Sequence, residues 1–100
     1  MKVRLIAEAR DEFLHEVAYY EDLRTGLGKR FHTAATTAFK RAGESPMTGK
    51  PGVAGTRRVL VKGFPFAVVY AAEESAVVVY AVAHLSRRPG YWFDRLGGDG

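Results

Sequence analysis

With 100 residues, 47% of them apolar, a net charge of +4 and a pI near 9.6, the chain is sized for one soluble domain around a single core. It has no cysteine, which excludes disulfides, thiol nucleophiles and cysteine-ligated zinc, and His15, His32 and His84 lie too far apart to form a helical metal-ligand pair. The longest apolar run, Ala76 to Ala83, is far short of the ~20 residues that cross a bilayer, and acids follow the first short apolar stretch at once, so a cytoplasmic protein with no membrane partner is expected.

The alternation of Val3 and Leu5 with Lys2 and Arg4 predicts a first strand from Lys2 to Ile6, placed at a sheet edge. A helix follows from Ala7 to about Arg24, because Ala9, Phe13, Val17 and Tyr20 recur at helical spacing. Glu8, Asp11, Glu12 and Glu16 crowd its first half, where the helix dipole favours acids. Thr25-Gly26 ends it. A second helix runs from Leu27 to about Ala42, with Leu27, Phe31, Ala34, Ala35, Ala38 and Ala42 on its buried side. The two form a hairpin against one face of a sheet, with Phe31 and Phe39 in the core, since aromatics dominate small cores.

The glycines and prolines of the stretch 43–55 predict a long loop, its path set by Pro46, Gly49 and Pro51. Three strands follow, at Thr56 to Lys62, Phe66 to Ala72 and Ala76 to His84. Their short turns, Gly63-Phe64-Pro65 and Glu73-Glu74-Ser75, imply antiparallel neighbours. A three-residue second turn would pair Tyr70 with Val78, Val68 with Tyr80 and Phe66 with Val82, with His84 at the end of that face. The last strand is apolar on both faces and is therefore expected to be central and covered on both sides. The helices cover one face; the C-terminal segment or a partner must cover the other. The fold class is thus α+β, a helical hairpin on a small antiparallel sheet. Residues 1–96 form a single domain, and 97–100 a frayed tail.

Basic and aromatic residues gather at the ends of these strands: Arg57, Arg58, Lys62, His84, Arg87, Arg88, Tyr91 and Trp92. A small sheet with such a rim suits an anionic partner such as nucleic acid, the ribosome or an acidic protein.

The motifs, in their order, resemble the RelE/ParE superfamily of type II toxins. Tyr19-Tyr20-Glu21 followed by Gly26-Leu27-Gly28-Lys29-Arg30-Phe31 is similar to its YYE…GLGxRF signature. Pro46 with Gly49-Lys50-Pro51 resembles its loop. Arg57-Arg58 with Phe64-Pro65-Phe66, Val69 and Tyr70 is similar to its RR…FPYxIxY strand pair, and His84, Arg87, Pro89 and Trp92 resemble its HxxRxPxxW ending. The resemblance implies a growth-inhibiting, plasmid-stabilising toxin that needs no cofactor and is neutralised in a hetero-oligomer by a cognate antitoxin. Its target would be DNA gyrase, as for ParE-like members, or mRNA on the ribosome, as for RelE-like ones. A third possibility is a non-toxic member that only binds its antitoxin.

RNA cutting needs a proton acceptor, cations for the phosphorane and a donor for the leaving oxygen. His84, Arg87 and Tyr91 are the catalytic candidates, with Arg57 or Arg88 on the phosphate. Arg57, Arg58, Lys62, Arg87, Arg88, Tyr91 and Trp92 are candidates for binding target or antitoxin. The chain departs from the RNA-cutting members, however. The arginine they carry in the central strand is Ala67 here, the basic residue at the end of the last strand falls near Leu85, and the loop carboxylate falls near Met47-Thr48, with Glu44 close by. These losses favour the gyrase target, which needs a binding surface and no catalytic set.

Overall fold

A computed structural model describes residues 1–97 as β1 (Lys2–Leu5), α1 (Ala7–Leu23), α2 (Leu27–Glu44), β2 (Lys50–Pro51), β3 (Arg57–Leu60), β4 (Phe66–Ala72) and β5 (Ala76–His84), with short 3₁₀ turns at Val53–Gly55 and Phe93–Arg95. Beyond Gly97, the tail expected at 97–100 lies outside the described residues. The strands form one sheet in the order β1-β5-β4-β3-β2. β1 runs parallel to β5 at the edge, and the other pairs are antiparallel. The sheet is therefore mixed, because the helical hairpin carries the chain over one face before it returns beside β1.

The hairpin turn rests on two residues of the glycine-rich motif. Gly26 begins α2 at φ 89° and offers no capping side chain. The Glu21 carboxylate replaces that cap, accepting the backbone N–H groups of Gly26 and Gly28 at 3.0–3.1 Å. Gly28 has no room for a side chain, since a Cβ there would stand 2.5 Å from the Val17 carbonyl oxygen. Close helix contact follows, and Phe13, Tyr20, Phe31, Phe39 and Phe66 interlock with half-buried Phe64 between helices and sheet.

The 43–55 stretch is tied down and includes the short strand β2, which its composition hid. The Tyr70 hydroxyl donates to the Pro46 carbonyl at 2.8 Å and accepts the Gly49 N–H at 3.0 Å. Arg57 Nη1 donates to the carbonyls of Met47 and Gly49. A Cβ on Gly49 would meet the Tyr70 hydroxyl at 2.6 Å. These contacts bring Lys50 and Pro51 alongside Arg58 and Arg57 as the second sheet edge.

The β4–β5 register differs from the three-residue-turn expectation. Glu73 N–H donates to the Ala76 carbonyl, so the turn proper is Glu74-Ser75, and Ala72 pairs with Val77. Tyr70 pairs with Val79 but Val69 with Ala81, which leaves Tyr80 as the extra residue of a β-bulge. A slip of one residue exchanges the faces of a strand. Val77, Val79 and Val82 consequently join Phe66, Val68 and Tyr70 under the helices, in place of Val78 and Tyr80.

Candidate functional site

The face of the sheet away from the helices carries the candidate site. The register sets Arg58, Val69 and Ala81 in one row, and Leu60, Ala67 and Ala83 in the next. The alanines make this surface a shallow trough, because side chains one carbon long leave space where the other face is filled by rings. After β5 the chain turns back, and Tyr91 and Trp92 pack on Val69, Ala81 and Ala83. The remaining groove, about 300 Å³, has Ala67, Val69 and Ala83 on its floor. Lys50, Pro51 and Arg58 form one wall; Leu85, Arg87, Arg88, Trp92 and Phe93 form the other. Both walls are cationic, and exposed Leu85 and Phe93 add apolar contact surface.

The returning segment is held by a part-buried network centred on Glu12. Its carboxylate accepts the Val82 N–H at 3.0 Å, the Tyr91 hydroxyl at 2.7 Å and both terminal nitrogens of Arg95 at 3.0 Å. Arg95 Nη1 also donates to the Tyr80 carbonyl at 2.9 Å. β1 pairs with β5 only as far as Val79, so Glu12 and Arg95 satisfy the backbone groups of β5 where no strand lies beside it. Burial pushes the Tyr91 hydroxyl well above its usual range, and the hydrogen bond to Glu12 adds to the shift. Burial works against the charge on Arg95, but the hydrogen bonds and charge of Glu12 outweigh it and raise its pKa. Tyr91 also carries the Arg87 guanidinium 3.9 Å above its ring, a cation–π contact that orients one wall of the groove. Gly90 permits the turn, with φ 78° and the Phe93 ring 2.6 Å from where its Cβ would be.

The residues singled out from the sequence are thus partly united. Arg58, Arg87, Arg88, Tyr91 and Trp92 meet around the groove. Arg57 lines one end, with its guanidinium engaged by the loop carbonyls. Lys62 is exposed in the turn before β4 and is not among the lining residues. His84 pairs with Phe66, its ring edge-on at 4.9 Å, while its Nδ1 accepts the Ser86 N–H at 3.0 Å. The sequence marks Glu12 only as a helix-dipole acid, Lys50 only as part of the loop motif, and Arg95 not at all. Glu12 sits among acids that suit a helix N-terminus, and nothing in its local sequence marks it as the one whose side chain crosses to β5. Among the described residues no cluster of three or more histidines and acids could hold a metal, and no helix is long and apolar enough to cross a membrane.

No protein-family model and no curated protein matches the sequence. Among solved structures, a chain from the chromosomal ParDE toxin–antitoxin system of P. aeruginosa superposes with a TM-score of 0.75 at 13% identity, covering 86% of this chain and 97% of that one. At this identity the likeness is one of fold, and the fold is the feature that the order of motifs predicted. Two helices packed on a five-stranded mixed sheet give this chain the ParE-like α+β fold.

Proposed function

We propose that the chain is the toxin component of a type II toxin–antitoxin system, that it arrests bacterial growth by binding DNA gyrase through the groove, and that a cognate antitoxin neutralises it in a complex. The observation that carries this reading is the makeup of the groove: an apolar floor of Ala67, Val69 and Ala83 between walls bearing Lys50, Arg58, Arg87 and Arg88. Such a surface offers an apolar centre and a charged rim, the composition of a protein-binding patch. The toxin–antitoxin origin of the structure with the same fold supports the wider class.

The chemistry of RNA cleavage is less well served. Ala67 gives the floor no phosphate-binding arginine, the Tyr91 hydroxyl is committed to Glu12, and His84 Nδ1 is occupied by Ser86. Loss of one preorganised transition-state contact commonly costs on the order of a hundredfold in rate. A binding mode of action tolerates all three features.

The test runs purified chain in a gyrase supercoiling assay beside a coupled translation assay. Inhibited supercoiling with intact translation is expected, relieved by Arg58→Glu with Arg88→Glu. Undiminished supercoiling at a large excess of protein, together with cleavage of translated mRNA that is lost in His84→Ala, would replace the gyrase target with the ribosome. Unchanged growth on induced expression would leave only antitoxin binding.

A further inference from the structure

The outer side of the helical hairpin carries a charge pattern separate from the groove. On α1, Asp11 and Asp22 stand eleven residues apart, and on α2 so do Lys29 and Lys40. Eleven residues are close to three full turns and about 16 Å, so each pair lies in line on its helix with the same spacing. All four side chains are exposed. Gly28 lies against Val17 and Glu21, and the Phe13 ring lies 5.2 Å from His32 and 5.3 Å from Phe39. These contacts put Asp11 within about one turn of Lys40, and Asp22 within about one turn of Lys29. Among the described residues, Asp11, Asp22 and Lys29 enter no ion pair, and Lys40 makes one long surface contact, 4.0 Å to Glu44.

Apolar surface accompanies these charges. Val17 and Glu21 face α2, and Phe13 and Tyr20 face the core. Leu14 and Ala18 therefore fall on the outward flank of the valley between the helices, and Leu14 is 48% exposed. The valley thus has an apolar line in α1, with aspartates beyond it on one helix and lysines on the other.

We infer that this hairpin face docks a second copy of the chain about a twofold axis running along the valley. That axis sets α1 of each copy over α2 of the other and preserves height along the helices. Both Asp11–Lys40 and Asp22–Lys29 pairs then form twice, and Leu14 meets Leu14 of the partner near the axis. Twofold axes in the other directions stack α1 on α1, like charge on like. The crossing helices are antiparallel, and helical side chains lean toward the N-terminus, so the aspartates and lysines lean toward each other and shorten the offset of about one turn. Closed twofold pairing of identical patches is the commonest oligomeric arrangement. Duplex DNA is a poorer occupant, because a phosphate backbone on α2 would lie beside the aspartates of α1.

Sedimentation velocity of the full chain tests this, with Asp11→Lys plus Asp22→Lys as one variant and Lys29→Glu plus Lys40→Glu as another. The wild type is expected to dimerise reversibly at low salt and to dissociate as salt shortens the screening length. Each variant alone is expected to dimerise about tenfold more weakly or worse, because attraction becomes repulsion at four contacts. An equimolar mixture of the two should regain the dimer, since each reversed helix then meets its complement. A wild type that stays monomeric at low salt, a variant that dimerises like the wild type, or folded variants whose mixture stays monomeric would overturn the pairing. So would a face that binds duplex DNA in the wild type and in Asp11→Lys/Asp22→Lys but not in Lys29→Glu/Lys40→Glu, with no dimer.

Discussion

The two faces of the sheet are both apolar, yet they are closed in opposite ways. Under the helices, large side chains fill the space: Phe31, Phe66 and Tyr70 are fully buried there, and Phe31 on α2 touches rings from α1 and the sheet. On the other face alanines leave a trough, and a single returning segment covers part of it through Tyr91 and Trp92. The helical side is sealed by packing, which cannot be undone in part. The groove side is sealed by one polar clamp at Glu12, which can. Stability and the proposed binding surface are thereby divided between the faces, so that a partner at the second would leave the first undisturbed.

The sharpest way to break this division is to attack the sealed side. Phe31→Ala should cost about 3–5 kcal/mol through lost burial and a residual cavity. That is a large part of the roughly 5–15 kcal/mol available to a domain of this kind, so urea denaturation should show a much earlier midpoint or an unfolded chain. On the clamped side, Glu12→Ala leaves Arg95 charged and part-buried and the Val82 N–H without its acceptor. A cost of about 2–3 kcal/mol is expected, toward the low end for a broken buried pair because both side chains retain some exposure. Its signature should be local: amide exchange over 85–96 should accelerate more than exchange in β4 and β5. Uniform acceleration would show that the two faces are not independent.

Alkaline titration sharpens the comparison further. Tyr91 has a folded pKa above its unfolded value of 10.0, raised by burial and then by Glu12. Its contribution is fully present below pH 10 and is lost as pH rises from there through the folded pKa, because the unfolded chain releases this proton first. Stability should therefore fall with pH above about 10 by an amount that Tyr91→Phe removes. The smallest effect on stability is expected at the groove wall. Arg58→Ala should change it by no more than about 0.5 kcal/mol, since the side chain is exposed, while weakening the gyrase inhibition proposed for the groove. Reduced stability with unchanged inhibition would remove Arg58 from the binding surface.

Much of the fold was legible because its signals are local. The stripe of Ala9, Phe13, Val17 and Tyr20, the break at Thr25-Gly26 and the three apolar strands each occupy consecutive residues, and the observed α1, β4 and β5 fall where these patterns put them. β2 was hidden, since Lys50-Pro51 forms a strand only once the loop before it is anchored by Arg57 and by Tyr70, the latter 21 residues beyond Gly49. The bulge at Tyr80 was hidden for a related reason: a valine-rich strand has no preferred register of its own, and a neighbouring strand must supply it. The basic side chains of the groove could be picked out by type, but Arg57 and Arg58 are adjacent in sequence and differ in use. Arg57 secures the loop, whereas exposed Arg58 shares its row with Val69 and Ala81.

By itself the sequence determined the two helices and the four longer strands, their order and the apolar character of both sheet faces, because helix and strand periodicity and turn residues act over a few neighbours. Tertiary structure alone decided which face became the groove and which acid of α1 would hold it closed. Glu12 and Arg95 are 83 residues apart and meet only once β5 has passed the end of β1 and exposed backbone groups for them to satisfy. That coupling depends on three elements arriving at one place, and no window of sequence contains it.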